Sequence, residues 1–144
     1  MTRLQNKCAL FVERFTRGDH CIVGYEWFSE AETHLETAWG MTIAIPRGFV
    51  YAYDAYIDAA HRNTGLWLRF KASLGEWMAA HDKQGVLTFV DYGNWPSLRT
   101  HLRFGFKPAD EVLAVTVLGR SFFKRRATGS LLPESATVRR LASQ

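Results

Sequence analysis

The segment Phe49-Val-Tyr-Ala-Tyr-Asp-Ala-Tyr-Ile57-Asp-Ala-Ala-His-Arg62-Asn-Thr-Gly65-Leu66-Trp-Leu-Arg-Phe70 changes its periodicity half-way along, and that change decides the fold. Up to Ile57 it is the most β-rich stretch of the chain, with Tyr51 and Tyr53 predicted on one face and Ala52, Asp54 and Tyr56 on the other. After His61-Arg-Asn-Thr-Gly65 the spacing becomes helical: Leu66, Phe70, Leu74, Trp77 and Met78 fall on one stripe, with Arg69, Glu76 and Lys83 largely off it. That predicts an amphipathic helix of roughly four turns, with Gly85 as its stop. A helix that starts directly after a strand exposes unpaired N–H groups and the positive end of its dipole. Where glycine lets the backbone come close, such a joint binds phosphate or pyrophosphate. Asn63, Thr64 and Gly65 are small or turn-prone here, and Arg62 adds a cation. An ordinary helix start carries the same features, so this joint alone leaves both readings open.

Working outward, Cys8–Phe15 and His20–Phe28 read as two strands joined by a turn at Thr16-Arg-Gly-Asp19. Residues 29–40 are polar, a loop or a helical turn, and Met41–Ile45 is a further strand. Val86-Leu-Thr-Phe-Val90 is almost wholly apolar, the pattern of a strand in the middle of a covered sheet. Asn94 caps a second helix with Pro96 in its first turn, running to Phe104 and ended by Gly105. Val112–Leu118 and Ser121–Phe123 complete the sheet. The expected architecture is one mixed α/β domain over residues 1–126, parallel where a helix crosses over, followed by a loose Ser/Thr/Arg-rich tail at 127–144.

Composition sets the outer limits. At 144 residues, 47% hydrophobic and 14% aromatic, the chain can build its own core. No apolar run approaches the ~20 residues of a membrane-spanning helix, so no membrane partner is expected. The N-terminus lacks a secretory pattern, and Cys8 and Cys21 make neither a disulfide framework nor a metal set; the expected location is cytoplasmic, with no metal. The net charge of +4 invites a nucleic-acid reading, but its distribution disfavours one. Lys107, Arg120, Lys124, Arg125, Arg126, Arg139 and Arg140 crowd one end of a chain whose first half carries Glu13, Glu26, Glu30, Glu32 and Glu36. An anionic small molecule fits that balance equally well.

Ile57-Asp-Ala-Ala-His-Arg62-Asn-Thr-Gly65-Leu, a helix, an apolar strand, and then Asn94-Trp-Pro-Ser97-Leu-Arg-Thr-His101-Leu-Arg-Phe-Gly105-Phe106 together resemble the GNAT N-acetyltransferase superfamily. The first piece is similar to its Arg-x-x-Gly-x-Gly/Ala motif, and the second to its Asn-x-x-Ala/Ser followed by Gly-Phe at fixed spacing, matched by Asn94, Ser97, Gly105 and Phe106. Val23-Gly24-Tyr25 is similar to the third strand of that fold, and the resemblance spans about residues 8–123.

The resemblance implies transfer of an acyl group from acetyl-CoA or another acyl-CoA to a small-molecule or peptide amine, by direct attack on the thioester. The pantetheine arm would enter between the strand ending at Ile57 and the strand Val86–Val90, with pyrophosphate on the amides of Arg62, Asn63, Thr64, Gly65 and Leu66. A backbone N–H near Ile57 would stabilise the oxyanion, and Asn94 and Ser97 belong to the cofactor side. His101 stands where the family places a general-acid tyrosine, a task that an imidazole can perform. Asp54 and Glu26 are the candidate bases, Asp54 being expected in a buried setting among the tyrosines.

The sequence departs from the family pattern in three places: Trp67 replaces Gly or Ala, Ala59 replaces Pro, and only about seven residues precede the first hairpin. The family's first strand and two helices would stand there, so an N-terminally shortened fold is expected, either a truncated product or one whose exposed sheet face is covered by residues 29–40 and the tail or, the favoured reading, by a homodimer. Two alternatives stand beside catalysis: a non-catalytic acyl-CoA-binding or protein-interaction module, and an acyltransferase fed by acyl-carrier protein docked on Lys124–Arg126.

Overall fold

The computed structural model describes residues 8–15, 21–127 and 139–140. Strands β1 (Cys8–Phe15), β2 (Cys21–Ser29), β5 (Phe49–Ile57) and β6 (Gly85–Thr88) form one sheet in the order β1-β2-β5-β6. The first two junctions are antiparallel and β5–β6 is parallel, bridged by helix α1 (Leu66–Ala80) as a crossover. Both strands of the expected first hairpin are present, while its turn at Thr16–Asp19 lies outside the described residues.

Helix α1 follows the apolar stripe. Leu66, Phe70 and Leu74 are buried, and Trp77 and Met78 are partly buried. Leu74 packs with Phe28, Val50 and Ala52, whereas Leu66 and Phe70 pack with Val23, backed by Ile57. Each such burial contributes about 1.5–3 kcal/mol, so the stripe is what ties α1 to the sheet. The stop is not Gly85, as expected, but His81, whose N–H donates to the Met78 carbonyl at 3.2 Å. Gly85 instead opens β6 opposite Phe49, where a Cβ would lie 2.4 Å from the Phe49 ring. Its small size serves strand pairing rather than helix termination. Strand β6 also lies at an edge of the described sheet, not in its middle, and its residues are half-buried.

A second group of elements comprises β3 (Thr33–Glu36), β4 (Met41–Ala44), α2 (Trp95–Arg103), β7 (Asp110–Val117), β8 (Arg120–Ala127) and β9 (Arg139–Arg140). The chain divides into two compact units along this line, one built on β1, β2, β5, α1 and β6, the other on the rest. The polar segment 29–40 contains a strand rather than a helical turn. Thr33–Glu36 pairs with β4 and turns His34 and Glu36, not Leu35, to its less exposed side, so its polar side chains concealed the alternation. Asn94 caps α2 as expected, its Oδ1 accepting from the Ser97 N–H at 3.3 Å. Of the expected tail, residues 128–138 and 141–144 lie outside the described residues, and Arg139–Arg140 pairs with β4.

Candidate active site

Strand β5 carries an irregularity that uniform alternation did not predict. Tyr25 pairs with Tyr56 and Trp27 with Tyr53, so one residue of β2 faces two of β5 at Asp54–Ala55. Asp54 takes φ +51°, the left-handed region that a β-bulge can use. The extra residue resets the faces: Tyr56 lies with Tyr25, Trp27, Tyr51 and Tyr53, not with Ala52 as alternation predicts. The rings of Tyr25 and Tyr56 stack at 5.7 Å, and those of Tyr51 and Tyr53 at 6.2 Å. Asp54 is exposed rather than buried among tyrosines, because the bulge lifts it out of the regular pleat.

On its other edge, β5 runs beside β6 only from Phe49 to Ala52. Strand β6 ends at Thr88 while β5 continues to Ile57, and among the described residues no strand pairs with that edge of the remaining length. Past Ile57 the chain makes a short 3-10 turn, Ala59–His61, capped by Asp58. Asp58 Oδ1 accepts from the Ala60 N–H at 3.0 Å and lies 3.3 Å from His61 Nδ1. The His61 bond, with the Ala60 amide next, holds the Asp58 carboxyl below its ordinary value. Thr64 Oγ1 donates to the His61 carbonyl at 2.6 Å, and Arg62 Nε donates to the Ile57 carbonyl at 3.2 Å. These bonds fix the loop that carries Arg62, Asn63, Thr64, Gly65 and Leu66 to the start of α1.

Gly65 is the N-cap of α1, at φ +82° and with no side-chain capping bond. A Cβ built on Gly65 has nothing within 4 Å beyond its chain neighbours, so the space over this helix end is open. No acidic residue stands in the first turn. The dipole and the first-turn N–H groups therefore face that space without a carboxylate competitor. Trp67 does not cover it. Its half-buried ring lies 5.0 Å from the Lys71 ammonium instead.

Lys71 went unrecognised in the sequence, where it reads as one more polar residue beside the stripe. It is 6% exposed and bonded to Glu26 Oε1, with Glu26 itself 2% exposed. Burial pushes the Glu26 carboxyl up and the Lys71 ammonium down, each opposed by the other's charge. Glu26 Oε2 has no hydrogen-bond partner among the described residues. As a candidate base, Glu26 is thus held in a buried ion pair against α1.

The remaining sequence candidates lie on α2, in the second unit. His101 is buried rather than on the helix surface, 9% exposed, with its ring 5.0 Å from Phe106 in an edge-on contact. Nδ1 lies 2.8 Å from the Ser97 carbonyl, which can only accept, so Nδ1 carries the hydrogen. Protonation of this ring would therefore take place at Nε2. The Asn94 amide oxygen is occupied as the helix cap, and Ser97 Oγ lies 3.4 Å from His101 Nδ1. Ile57 thus ends β5 and residues 62–66 lead into α1 within one unit, while Asn94, Ser97 and His101 lie together at the cap and on the body of α2 in the other.

Solved acetyltransferases superpose on this fold. An acetyltransferase of Trypanosoma brucei superposes with a TM-score of 0.58 at 16% identity, over 81% of this chain and 73% of that one. The aminoglycoside N-acetyltransferase AAC(6')-Iy, in complex with CoA, gives 0.61 at 15% identity, over 81% of both chains. The chain has the GNAT acetyltransferase fold. The BH1408 protein of Bacillus halodurans is similar to the same extent, with 0.60 at 17% identity over 81% of this chain and 73% of that one. No family model matches the sequence, and no curated protein matches it either. At these identities the shared property is the GNAT fold itself.

Proposed function

We propose that the chain is an acyl-CoA-dependent N-acyltransferase, acetyl-CoA being the donor and a small-molecule or peptide amine the acceptor. The observation that carries this reading is that β5 runs on past the end of β6, from Ala52 to Ile57, and leads into a start of α1 that has no side-chain cap. Support for a pyrophosphate there comes from the space around a Cβ at Gly65, which is open to 4 Å, from the absence of an acidic residue in the first turn of α1, and from Arg62 on the same loop. The length of β5 that β6 does not pair offers backbone for an extended pantetheine arm. Among structures of the same fold, AAC(6')-Iy binds CoA, and is also known with a CoA–acetylneamine bisubstrate analogue.

In this reading the amine attacks the thioester carbonyl, an amide of β5 between the bulge and Ile57 stabilises the oxyanion, and the thiolate leaves with a proton. On the resemblance of Asn94–Phe106 to the family's motif, His101 is the residue we assign to that last step. Asp54, exposed at the bulge, is better disposed than Glu26 to accept the proton of the incoming ammonium, because Glu26 is already bound to Lys71. The test is thiol release from acetyl-CoA across a panel of amines. Turnover with any of them that falls sharply in Arg62→Glu supports the assignment, and turnover indifferent to that change contradicts it.

The buried Glu26–Lys71 pair gives one observation in favour of a second reading, a module that binds acyl-CoA without turning it over. Tight acetyl-CoA binding with no thiol release for any amine would select it.

A further inference from the structure

The hairpin β7–β8 carries apolar residues on both of its faces. Its register sets Glu111 opposite Arg126, Leu113 opposite Lys124, Val115 opposite Phe122 and Val117 opposite Arg120, all on one face. All eight of these residues are exposed, Leu113 by 61%, Val117 by 52% and Phe122 by 51%. The opposite face carries Val112, Ala114, Ser121 and Phe123, which are half-buried, and Arg125 bonded to Asp110. The sheltered face is therefore no more apolar than the exposed one, a distribution that marks an interaction surface.

The tip departs from local preference in the same direction. Leu118 and Gly119 turn the hairpin at φ +49° and +74°, the doubly left-handed geometry for which Asn-Gly is the favoured pair. A leucine there is strained, and at 98% exposure it gains no burial in return. An apolar side chain projecting on every side is covered only by a partner that surrounds it.

We propose that this hairpin docks on an anionic lipid surface, with Leu118 inserted among the acyl chains and Arg120, Lys124 and Arg126 on the headgroup phosphates. Charge selects this occupant. The exposed face holds three cations and one carboxylate, so a second copy would bring two faces of the same sign together, whereas anionic headgroups neutralise them. The long stems of Arg and Lys reach headgroups while Leu113, Val115, Val117 and Phe122 lie against the apolar boundary. No helix among the described residues is long and apolar enough to cross a membrane, and a hairpin lying on the surface needs none. The inference is independent of the acyltransferase reading.

Co-sedimentation of the full chain with phosphatidylcholine vesicles, with and without phosphatidylglycerol, tests it. Binding is expected only with the anionic lipid, to weaken as salt is raised, and to fall about tenfold in Leu118→Asn. Asn tolerates the left-handed turn, so the same variant is expected to melt higher than the parent, which separates lost docking from lost folding. Arg120→Glu with Lys124→Glu is expected to remove the preference for anionic lipid. Absence of pelleting, pelleting unchanged in Leu118→Asn, or a dimer in light scattering that Leu118→Asn splits without lipid binding would each overturn the proposal.

Discussion

Gly65 and the pair Glu26–Lys71 show how far single residues constrain the site. Gly65 sits at φ +82° with open space where a Cβ would project, so a substitution there meets backbone strain and no steric clash. Gly65→Ala is expected to cost about 1–2 kcal/mol in urea unfolding and, by placing a methyl group in the space assigned to the pyrophosphate, to weaken acetyl-CoA binding. Glu26 and Lys71 lie at the other extreme, fully enclosed and held by each other. Glu26→Gln leaves a buried cation without its counter-charge and is expected to cost about 3–5 kcal/mol, while Glu26→Leu with Lys71→Met is neutral or stabilising. The pH dependence follows from the two shifts. With the Glu26 carboxyl above 4.5 in the folded state, its contribution falls as pH rises through the folded value. With the Lys71 ammonium below 10.5, its contribution falls as pH drops through the folded value. Stability gained in the Leu/Met double variant is therefore expected to be largest near neutral pH, between the two, and unfolding curves across that range check it. His101 gives the kinetic counterpart: His101→Phe is expected to lower kcat by about a hundredfold and leave acetyl-CoA affinity unchanged.

At the scale of elements, β5 and α1 were legible from the chain because their apolar residues keep strict periods, and burial of Leu66, Phe70 and Leu74 follows from that spacing alone. The bulge was not legible. Asp54-Ala55 interrupts no hydrophobic pattern, and only the pairing with β2 reveals that two residues share one position. Lys71 was hidden for a related reason: its partner is 45 residues away, and a lysine beside an apolar stripe ordinarily faces water. The polar strand β3 escaped because its less exposed side carries His34 and Glu36 instead of Leu35. Of the candidate site, the loop from Arg62 to Leu66 and the capped start of α2 could be placed from turn and cap residues, whereas the exposure of Asp54 and the burial of His101 depend on tertiary packing. Asp54→Gly relieves the left-handed strain at the bulge and is expected to stabilise the chain by up to about 1 kcal/mol in thermal unfolding. A fall in kcat in that variant, with the fold intact, would assign the carboxylate to proton transfer.

For the molecule as a whole, the βαβ unit β5–α1–β6 is what the account of the site rests on, with β6 pairing β5 only as far as Ala52. Cofactor capture in this account depends on that unit and its loop, all within one compact unit of the chain. The most direct measurement is isothermal titration of the full chain with acetyl-CoA and, separately, with desulfo-CoA. Micromolar binding of both, lost in Arg62→Glu, is the predicted result. No heat with either ligand at millimolar concentration would contradict the cleft between β5 and β6 as an acyl-CoA site.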